Sequence, residues 1–486
     1  MVGSMDQPHK QTVEREIKLR VGRDFTLPPL AGERLPSRLF TSTYFDTDDY
    51  RLARAGITLR YRIEARKGSW QLKLPHGVAR LELEFSGDRT SPPPSLTTLL
   101  LAHLRRQPVK PIARLRTRRT GIQLNTGDGA VADVVVDSVV ALNGRRVSHH
   151  LYELEVELKE GSDKDLTRIE RLLRDAGAQG GDRRPKVFQV LGLDLPVPAI
   201  QDSPASSPTE HVKALLQVQV TRLLVHDPGA RLGTDEEELH QMRVATRRLR
   251  AYLRAAGLML APDWVANVRS ELAWLGNMLG PVRDLDVLLG HLGKECASLH
   301  LPERRAIERL LQALKRDRAA ARIVLLQALD SDRYLALLDQ LEMGVRSPAV
   351  VDTMVSLTSI AGAEFKTLRR AMQESGPEAS DNQLHHIRIQ GKRARYAAEL
   401  AEGSIGKPAT RFLRQAKKLQ DLLGDHQDAL VTEQRLRKLL GQARGRCAAF
   451  AVGRLVERQS ARRRRARTRL PNVWAKLVKR GQKAWR

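Results

Sequence analysis

Two runs of basic residues repeat the same spacing along the chain, and this spacing points to chemistry. The offsets 0, 3, 7 and 10 belong in the first run to His240, Arg243, Arg247 and Arg250. The same offsets belong in the second run to His385, Arg388, Lys392 and Arg395. At about 100° per residue, each set falls on one face of a helix. Cations packed this closely repel one another, so the two runs, called here the basic stripes, predict an anion-binding surface.

The sequence around the stripes is duplicated too. Residues 239–250 align without a gap with 384–395, and residues 275–284 align with 419–428. This duplication predicts two similar helical bundles that face each other. A solvated basic face remains an alternative for either helix, but the repetition disfavours it. A metal site formed by His240 and His385 is also disfavoured, because the neighbouring arginines would repel a cation.

A different pattern fills the first 195 residues, where charged and apolar residues alternate. Period two predicts strands at 13–19, 58–63, 70–74, 80–85, 131–140 and 151–158. The charged positions of one parity are Glu14, Glu16, Lys18, Arg60, Arg62, Arg80, Glu82, Glu84, Arg114, Arg116, Arg118, Asp133, Asp137, Glu153, Glu155 and Glu157. An open sheet with one solvated face would show the same alternation. We favour a closed barrel with the charges inside, because several strands are wholly acidic or wholly basic on that face.

A stretch rich in Pro and Ser separates the predicted strands from the predicted helices. We predict a β domain at residues 8–195, a linker at 196–209 and a helical domain at 210–486, which makes an α+β fold of two domains. Ser207, Pro208 and Glu210 have the spacing of a helix start, with an N-cap, a proline in the first turn and a capping-box acid. Beyond them, apolar residues recur at helical spacing.

Composition agrees with an anionic partner. The 486 residues include 83 Lys and Arg against 56 Asp and Glu, a formal net charge of +27. Residues 453–486 alone hold 13 Lys and Arg against one Glu, so a nucleic-acid-binding arm is an alternative. Aromatic residues make up only 4%, which disfavours base stacking and favours contact with phosphate. No long apolar run appears, and we expect a soluble cytoplasmic protein.

The motifs of the β half resemble those of the CYTH family, the triphosphate tunnel metalloenzymes. The matching residues are Glu14-x-Glu16-x-Lys18, Tyr44-Phe-Asp-Thr47, Leu59-Arg-Tyr-Arg62, Lys73, Arg80-x-Glu82-x-Glu84, Asp137 and Glu153-x-Glu155-x-Glu157. The resemblance spans most of residues 10–195. It implies an eight-stranded tunnel that hydrolyses triphosphate-type substrates with Mg²⁺ or Mn²⁺. Where the family usually has Ser-Lys near the end of its barrel, this chain has Arg184-Pro185-Lys186.

Carried onto this sequence, the resemblance implies two groups of site residues. The group expected to contact phosphate and take part in catalysis is Lys18, Arg60, Arg62, Lys73, Glu82, Arg116, Arg118 and Lys186. The group expected to hold one or two divalent ions is Glu14, Glu16, Asp137, Glu153, Glu155 and Glu157. Carboxylate oxygens are the ligands that such hard cations prefer.

The helical half resembles the CHAD family, the conserved histidine α-helical domain, through its doubled stripe and its Arg283-Asp284 and His426-x-Asp428 turns. CYTH followed by CHAD is a known order among bacterial proteins. The resemblance implies binding of inorganic polyphosphate, and association with polyphosphate granules, through both basic stripes and His426. Three alternatives stay open: a polyphosphate-binding protein without enzymatic activity, a nucleoside triphosphate cyclase, and a nucleic-acid-binding protein.

Overall fold

The computed structural model describes residues 8–77, 79–126, 129–144, 146–182, 184–194, 207–346, 356–376, 378–441 and 445–485. The chain divides into two compact units, Met1–Val197 and Pro198–Arg486. The linker predicted at 196–209 lies outside the described residues up to residue 206.

In its described residues, the first unit is an antiparallel sheet of ten strands with five short helices. The strands are β1 (Lys10–Glu14), β2 (Glu16–Arg20), β3 (Gly32–Asp46), β4 (Thr58–Glu64), β5 (Lys67–His76), β6 (Ala79–Phe85), β7 (Lys110–Thr126), β8 (Gly129–Asn143), β9 (Arg146–Leu158) and β10 (Gln179–Gly180). The helices are α1 (Arg51–Arg54), α2 (Pro94–Leu99), α3 (Leu101–Leu104), α4 (Asp163–Asp175) and α5 (Lys186–Leu191). The order in the sheet is β1-β6-β5-β4-β3-β7-β8-β9-β2-β10.

The sheet closes on itself through its first two strands. Only Arg15 separates β1 from β2, yet β1 pairs with β6 and β2 pairs with β9, at opposite ends of the strand order. The segment from residue 10 to residue 20 therefore acts as one kinked strand that joins the two edges. Counted in this way, eight strands surround the interior, with β10 as a short addition beside β2. This is the closed barrel that the sequence predicts.

Apolar side chains cover the outside of the barrel where α4 packs. A capping box between Ser162 and Asp165 starts this helix. Its buried residues Leu166, Ile169 and Leu173 join a core with apolar residues of β2, β8 and β9. Because strand side chains alternate, covering this face with apolar residues sends the charged residues of these strands into the interior.

A second core fills one end of the barrel beside α5. Val187 and Phe188 of this helix cluster with Tyr44, Leu115 and Val139. All five residues are buried. This cluster places Lys186, the first residue of α5, next to the charged interior.

The strand predictions miss β3, most of β7 and the short β10. Strand β3 contains Pro36 and Ser37, and its pairing with β7 shifts register between Leu35 and Arg38. This irregularity interrupts the period-two pattern by which a strand is recognised in a sequence. The other strand predictions are confirmed, except that 13–19 is two strands.

The second unit is helical, as predicted. Its helices are α6 (Pro208–Leu232), α7 (Glu236–Ala255), α8 (Pro262–Ala297), α9 (Leu301–Leu329), α10 (Asp332–Arg346), α11 (Leu357–Ser375), α12 (Asp381–Ile405), α13 (Lys407–Leu440) and α14 (Arg446–Ala484). Ser207 caps α6 by accepting a hydrogen bond from the backbone N–H of Glu210. Among the described residues, every helix is too short or too polar to cross a bilayer.

The sequence repeat appears as a repeat of helices. Helices α6, α7 and α8 pack as consecutive neighbours, and so do α11, α12 and α13. The basic stripes lie on α7 and α12, which also pack against each other. The last helix, α14, packs along α13, where Leu470 and Leu477 enter a core with Phe365 and Phe412.

Candidate functional site

The interior of the barrel is a cavity of about 920 Å³. Ten of the predicted site residues line it: Glu14, Glu16, Lys18, Arg60, Arg62, Lys73, Glu82, Glu155, Glu157 and Lys186. Asp137 and Glu153 are almost fully buried, and both contact Lys186. The structure therefore brings together twelve of the fourteen residues that the sequence assigns to the tunnel.

The other two predicted tunnel residues, Arg116 and Arg118, lie on the outer face of β7 and are exposed. The interior parity of this strand belongs instead to Leu115, Thr117 and Arg119. Leu115 is anchored in the apolar core beside α5, and this anchor sets which face of β7 points inward. Arg119 thus takes the interior place that the sequence analysis assigns to its neighbour Arg118.

The register of one strand pair identifies Arg119 as an interior residue. In the antiparallel pairing of β7 with β8, Arg119 lies directly opposite Asp137. Residues opposite each other in such a pair project from the same face of the sheet. Since Asp137 is predicted to face the interior, the register of this pair would have placed Arg119 there as well.

A first cluster of interior charges surrounds Lys73. Its Nζ contacts Glu14 and lies 3.5 Å from Glu82 Oε2, while Arg60 Nη2 lies 3.5 Å from Glu82 Oε1. Burial and a hydrogen bond with Glu82 raise the pKa of Glu14 to about 7. Burial opposes ionisation of Glu82 as well, but Lys73 and the hydrogen bond from Glu14 lower its pKa to about 2. The two carboxyl groups therefore share one proton below pH 7.

A second cluster joins β2, β8 and β9 to α5. Lys186 Nζ lies 2.5 Å from Asp137 Oδ2, 2.8 Å from Glu155 Oε1 and 3.1 Å from Glu153 Oε2. Lys18 Nζ lies 3.2 Å from the same Glu155 oxygen. Burial opposes the charge on both lysines, but Glu155 and its acidic neighbours outweigh burial and raise the pKa of each. Lys186 thus keeps its charge inside the barrel despite the preceding proline.

A third group is cationic and lies toward β3, β4 and β7. Arg62 stacks over the Phe40 ring, with Cζ 3.6 Å from the ring centroid. Burial and the nearby charge of Arg60 lower the pKa of Arg62 to about 10, even though Glu64 lies 2.7 Å away. Arg38 and Arg119 add to this repulsion. A bound anion would relieve it, so this wall of the tunnel is suited to phosphate.

The interior also contains carboxylate oxygens of the kind that ligate a divalent cation. Within the described residues, Glu82 Oε1 and Glu153 Oε2 are buried and accept no hydrogen bond of good geometry, although Arg60 Nη2 lies 3.5 Å from the first and Lys186 Nζ lies 3.1 Å from the second. No three or more His, Cys, Asp or Glu side chains of the described chain converge on one point. Mg²⁺ commonly binds one or two carboxylates and completes its shell with phosphate oxygens and water. The donor set therefore fits such an ion when a phosphate ligand is present.

The second unit contains a smaller cleft, of about 550 Å³, between α7, α12 and α13. Five residues of the basic stripes line it: His240, Arg247, Arg388, Lys392 and Arg395. Arg247 Nε donates to the Tyr396 hydroxyl at 3.3 Å, which joins α7 to α12. The lining also includes Tyr396 and Lys417, which are absent from the sequence-based site, and the acidic residues Asp421, Asp425 and Asp428 of α13. The two stripes thus face each other, as the repeat predicts.

Cations crowd this cleft. Burial, then Arg388 and Arg247, lower the pKa of Lys392 to about 7. Among the described residues, Arg388 Nε is buried without a hydrogen-bond partner. Arg243, at the edge of the cleft, donates to Asp284 Oδ1 at 2.7 Å. Asp428, which aligns with Asp284 in the repeat, lies near Arg388 and opposes the lowering of its pKa.

Four predicted polyphosphate-binding residues lie outside the lining of the cleft, and Arg243 is one of them. Arg250 is exposed. His385 is exposed too, and its Nδ1 lies 3.0 Å from Gln427 Oε1. His426 is only 2% exposed, with Nε2 3.4 Å from Asp381 Oδ1. Arg250 and His385 are each an end residue of a stripe that spans about three helical turns, whereas the opposite ends, His240 and Arg395, line the cleft.

Comparisons with known proteins divide the chain in the same way. A family model described as the CYTH domain matches residues 12–184, and one described as the CHAD domain matches residues 214–437. Uncharacterized proteins from two strains of Mycobacterium tuberculosis are each 32% identical over 488 residues, which cover 93% of this chain and 92% of each relative.

Solved structures match each unit separately. PptA from Streptomyces chartreusis has 22% identity and a TM-score of 0.46, covering 55% of this chain and 98% of that chain. The CHAD domain from the plant Ricinus communis has 25% identity and a TM-score of 0.45, covering 58% and 94%. An adenylyl cyclase-like protein from Hippeastrum, described as having a dominant triphosphatase activity, has 18% identity and a TM-score of 0.25, covering 38% and 98%.

Proposed function

Since the chain belongs to the CYTH family over residues 12–184 and to the CHAD family over residues 214–437, we propose that it hydrolyses inorganic triphosphate in its tunnel and binds inorganic polyphosphate on its helical unit. The CYTH family acts on triphosphates. The choice of inorganic triphosphate, and the binding of polyphosphate, are our own proposals. We place the protein in the cytoplasm, in association with polyphosphate granules.

The observation that carries the catalytic proposal is the set of cations in the tunnel wall. Lys18, Arg60, Arg62, Lys73, Arg119 and Lys186 all line one cavity. Guanidinium and ammonium groups donate charge-assisted hydrogen bonds to phosphate oxygens. Held in a partly desolvated interior, they would stabilise the charge that develops on the leaving phosphate. Such catalysis rests on position and electrostatics, as is usual for phosphoryl transfer.

The carboxylates have a complementary role. Glu14 and Glu16 come from the kinked strand, and Glu155 and Glu157 come from β9, next to it in the sheet. They would hold Mg²⁺ or Mn²⁺ between the protein and the substrate. When bound, the ion neutralises phosphate charge and lowers the pKa of a bound water molecule. Glu14, with its pKa of about 7, is also placed to exchange a proton with water near neutral pH.

The helical proposal rests on the cleft between the stripes. Arg247, Arg388 and Lys392 converge there from two helices, and burial, together with the charges of the two arginines, lowers the pKa of Lys392 to about 7. Lys and Arg outnumber the aspartates in the lining, and a chain of phosphates would balance the excess positive charge along the cleft. The partner that the geometry favours is therefore an extended anion.

An assay with three substrates tests both halves. The purified protein is given inorganic triphosphate, ATP or long-chain polyphosphate, with and without Mg²⁺ or Mn²⁺, and orthophosphate release and polyphosphate retention are measured together. We expect metal-dependent release from triphosphate, with long chains bound but intact. Formation of cyclic nucleotide and pyrophosphate from ATP would support the cyclase instead. Retention of polyphosphate without orthophosphate release from any substrate would indicate a polyphosphate-binding protein without enzymatic activity.

Variants separate the two activities. The double variant Arg247→Glu, Lys392→Glu reverses the charge at the centre of the cleft, and we expect it to lose polyphosphate binding while keeping triphosphatase activity. Unchanged polyphosphate affinity would contradict the role of the facing stripes. A competition with DNA and RNA at fixed salt completes the test, because all these polyanions bind basic surfaces in a salt-dependent way.

A further inference from the structure

The last helix, α14, presents a row of arginines beyond the part of the chain that the CHAD family model matches. This row is Arg458, Arg462, Arg465 and Arg469. Successive spacings of 4, 3 and 4 residues place the four on one helix face over about 16 Å. Together with residues of α8 and α13 they line a cavity of about 580 Å³.

Two of these arginines are held in place by neighbouring side chains. Arg458 Nη1 donates to Glu295 Oε2 at 2.7 Å and to Ser298 Oγ at 2.8 Å. Arg462 Nη1 donates to Gln459 Oε1 at 2.8 Å, and Gln459 is fully buried. Fixed guanidinium groups lose little conformational entropy when they bind a ligand. This end of the row is therefore preorganised.

The other two arginines have no partner. Among the described residues, no side chain forms an ion pair or hydrogen bond with Arg465 or Arg469, and both are exposed. The acidic residues in the lining are already committed: Glu295 to Arg458, Asp425 to Arg462, and Glu457 to Arg464 on another face of the helix. The positive charge of this cavity is thus left without compensation at one end.

The row is continuous with the cleft between the basic stripes. Asp425 of α13 lines both cavities, and Arg462 forms an ion pair with it from the α14 side. Lys417, also on α13, lies with Arg388 and Lys392 in the cleft lining. A flexible anion that leaves the cleft passes Asp425, whose charge is paired with Arg462, before it meets the arginine row.

We propose that the arginine row of α14 is a second polyphosphate-binding site, which engages only chains long enough to extend out of the cleft. This inference rests on the proposed function of the cleft. Phosphate is favoured over nucleic acid because, among the described residues, the apolar part of the lining is Leu422, Ala461 and Ala466, with no aromatic ring for a base to stack on. The site makes affinity depend on chain length, since the second contact becomes intramolecular once the first has formed.

The test compares affinities for triphosphate, a short polyphosphate and a long polyphosphate, measured by calorimetry or polarisation. The variant is Arg465→Glu, Arg469→Glu, which changes only exposed residues. The matched control is Lys476→Glu, Lys479→Glu, an equal change of charge at exposed positions of the same helix outside the cavity. The cleft variant Arg247→Glu, Lys392→Glu is measured beside them.

We expect the α14 variant to bind the long chain roughly tenfold or more weakly, with its salt dependence reduced by about 1.4 in log–log slope for two lost contacts. Its affinity for the short chain should be unchanged, and the control should behave as the unaltered protein. Equal losses in variant and control, or an unaltered long-chain affinity, would overturn the second site. Failure of the cleft variant to weaken short chains would overturn the proposed function instead. Equal competition by single-stranded RNA would assign the row to nucleic acid.

Discussion

Arg119 and Asp137 form a bidentate ion pair across β7 and β8, with Nε to Oδ1 and Nη2 to Oδ2 both at 2.8 Å. Asp137 is fully buried, and the same guanidinium reaches Glu155 and Glu157 on β9. Arg119 therefore connects the acidic strands of the tunnel to the basic wall around Arg62. Arg119 is the largest difference between the tunnel site predicted from the sequence and the tunnel site in the structure.

Replacement of Arg119 should show whether this position takes part in the reaction. We expect Arg119→Lys, which keeps the charge but loses the planar fork, to lower kcat for triphosphate by roughly 10²-fold. Arg119→Ala should in addition lower the free energy of unfolding by about 3–5 kcal/mol, because three buried or half-buried carboxylates each lose one cationic partner. Steady-state kinetics and urea unfolding measure the two effects.

The neighbouring arginine supplies the control for this prediction. Arg118→Ala removes the same side chain from the outer face of β7, where it is exposed. We expect its activity to be unchanged and its stability to differ by less than about 0.5 kcal/mol. Loss of activity in Arg118→Ala with full activity in Arg119→Lys would restore the sequence-based assignment and refute ours.

Replacement of the carboxylates of the kinked strand should change enzymatic activity and protein stability in different ways. Because burial raises the pKa of Glu14 to about 7, this group favours the folded state less as pH rises from its unfolded value of 4.5 to about 7. We therefore expect Glu14→Gln to be no less stable than the unaltered protein above pH 7. The double variant Glu14→Gln, Glu16→Gln should nevertheless lose metal-dependent phosphate release.

Thermal unfolding at several pH values and phosphate release against Mg²⁺ concentration are the measurements. Glu33→Gln, an equal change at an exposed position of β3, is the control and should leave both unchanged. A double variant that retains metal-dependent release would argue against a metal-binding role for these carboxylates.

Polyphosphate binding should depend on pH through Lys392. Burial and the neighbouring arginines lower its pKa to about 7, so the free protein loses this charge as pH rises through that value. A polyanion favours the charged form, so binding takes up a proton above pH 7. We expect affinity to be constant below pH 7 and to fall above it.

Binding isotherms from about pH 6 to about pH 9 at constant ionic strength, in buffers of different ionisation enthalpy, measure the proton uptake. Lys392→Arg is the matched variant, since an arginine stays protonated throughout this range. It should bind polyphosphate with this pH dependence removed. An identical fall in affinity in both proteins would mean that another group titrates.

Docking of α14 should depend on one glycine. A Cβ at Gly481 would lie 2.1 Å from the Phe365 ring, whereas a Cβ at Gly453 in the same helix would meet nothing within 4 Å. We expect Gly481→Ala to destabilise the helical unit by about 1–3 kcal/mol through overpacking. Gly453→Ala should be neutral or stabilising by up to about 1 kcal/mol, because alanine favours helix.

Chemical denaturation of the two variants provides the comparison. The tunnel activity of Gly481→Ala should be retained at temperatures where the protein is folded. Equal stability of the two variants would show that α14 does not pack against α11 at this point.

Much of the site was determined by the sequence alone. Period-two alternation sends Glu14, Lys18, Lys73 and Glu155 to one face because strand geometry leaves no other choice. The internal repeat likewise places Arg247 and Lys392 at matching positions of two helices. Both results depend only on spacing along one element, which local backbone geometry translates directly into direction.

The tertiary structure decided what depends on more than one element. Which parity of β7 faces inward is set by the packing of Leu115 beside α5, so Arg119 and not Arg118 enters the tunnel. The burial of His426 beside Asp381 and the cavity under α14 arise in the same way, from contacts between helices distant in sequence. Side-chain spacing defines a face, but only the neighbouring elements determine what that face meets.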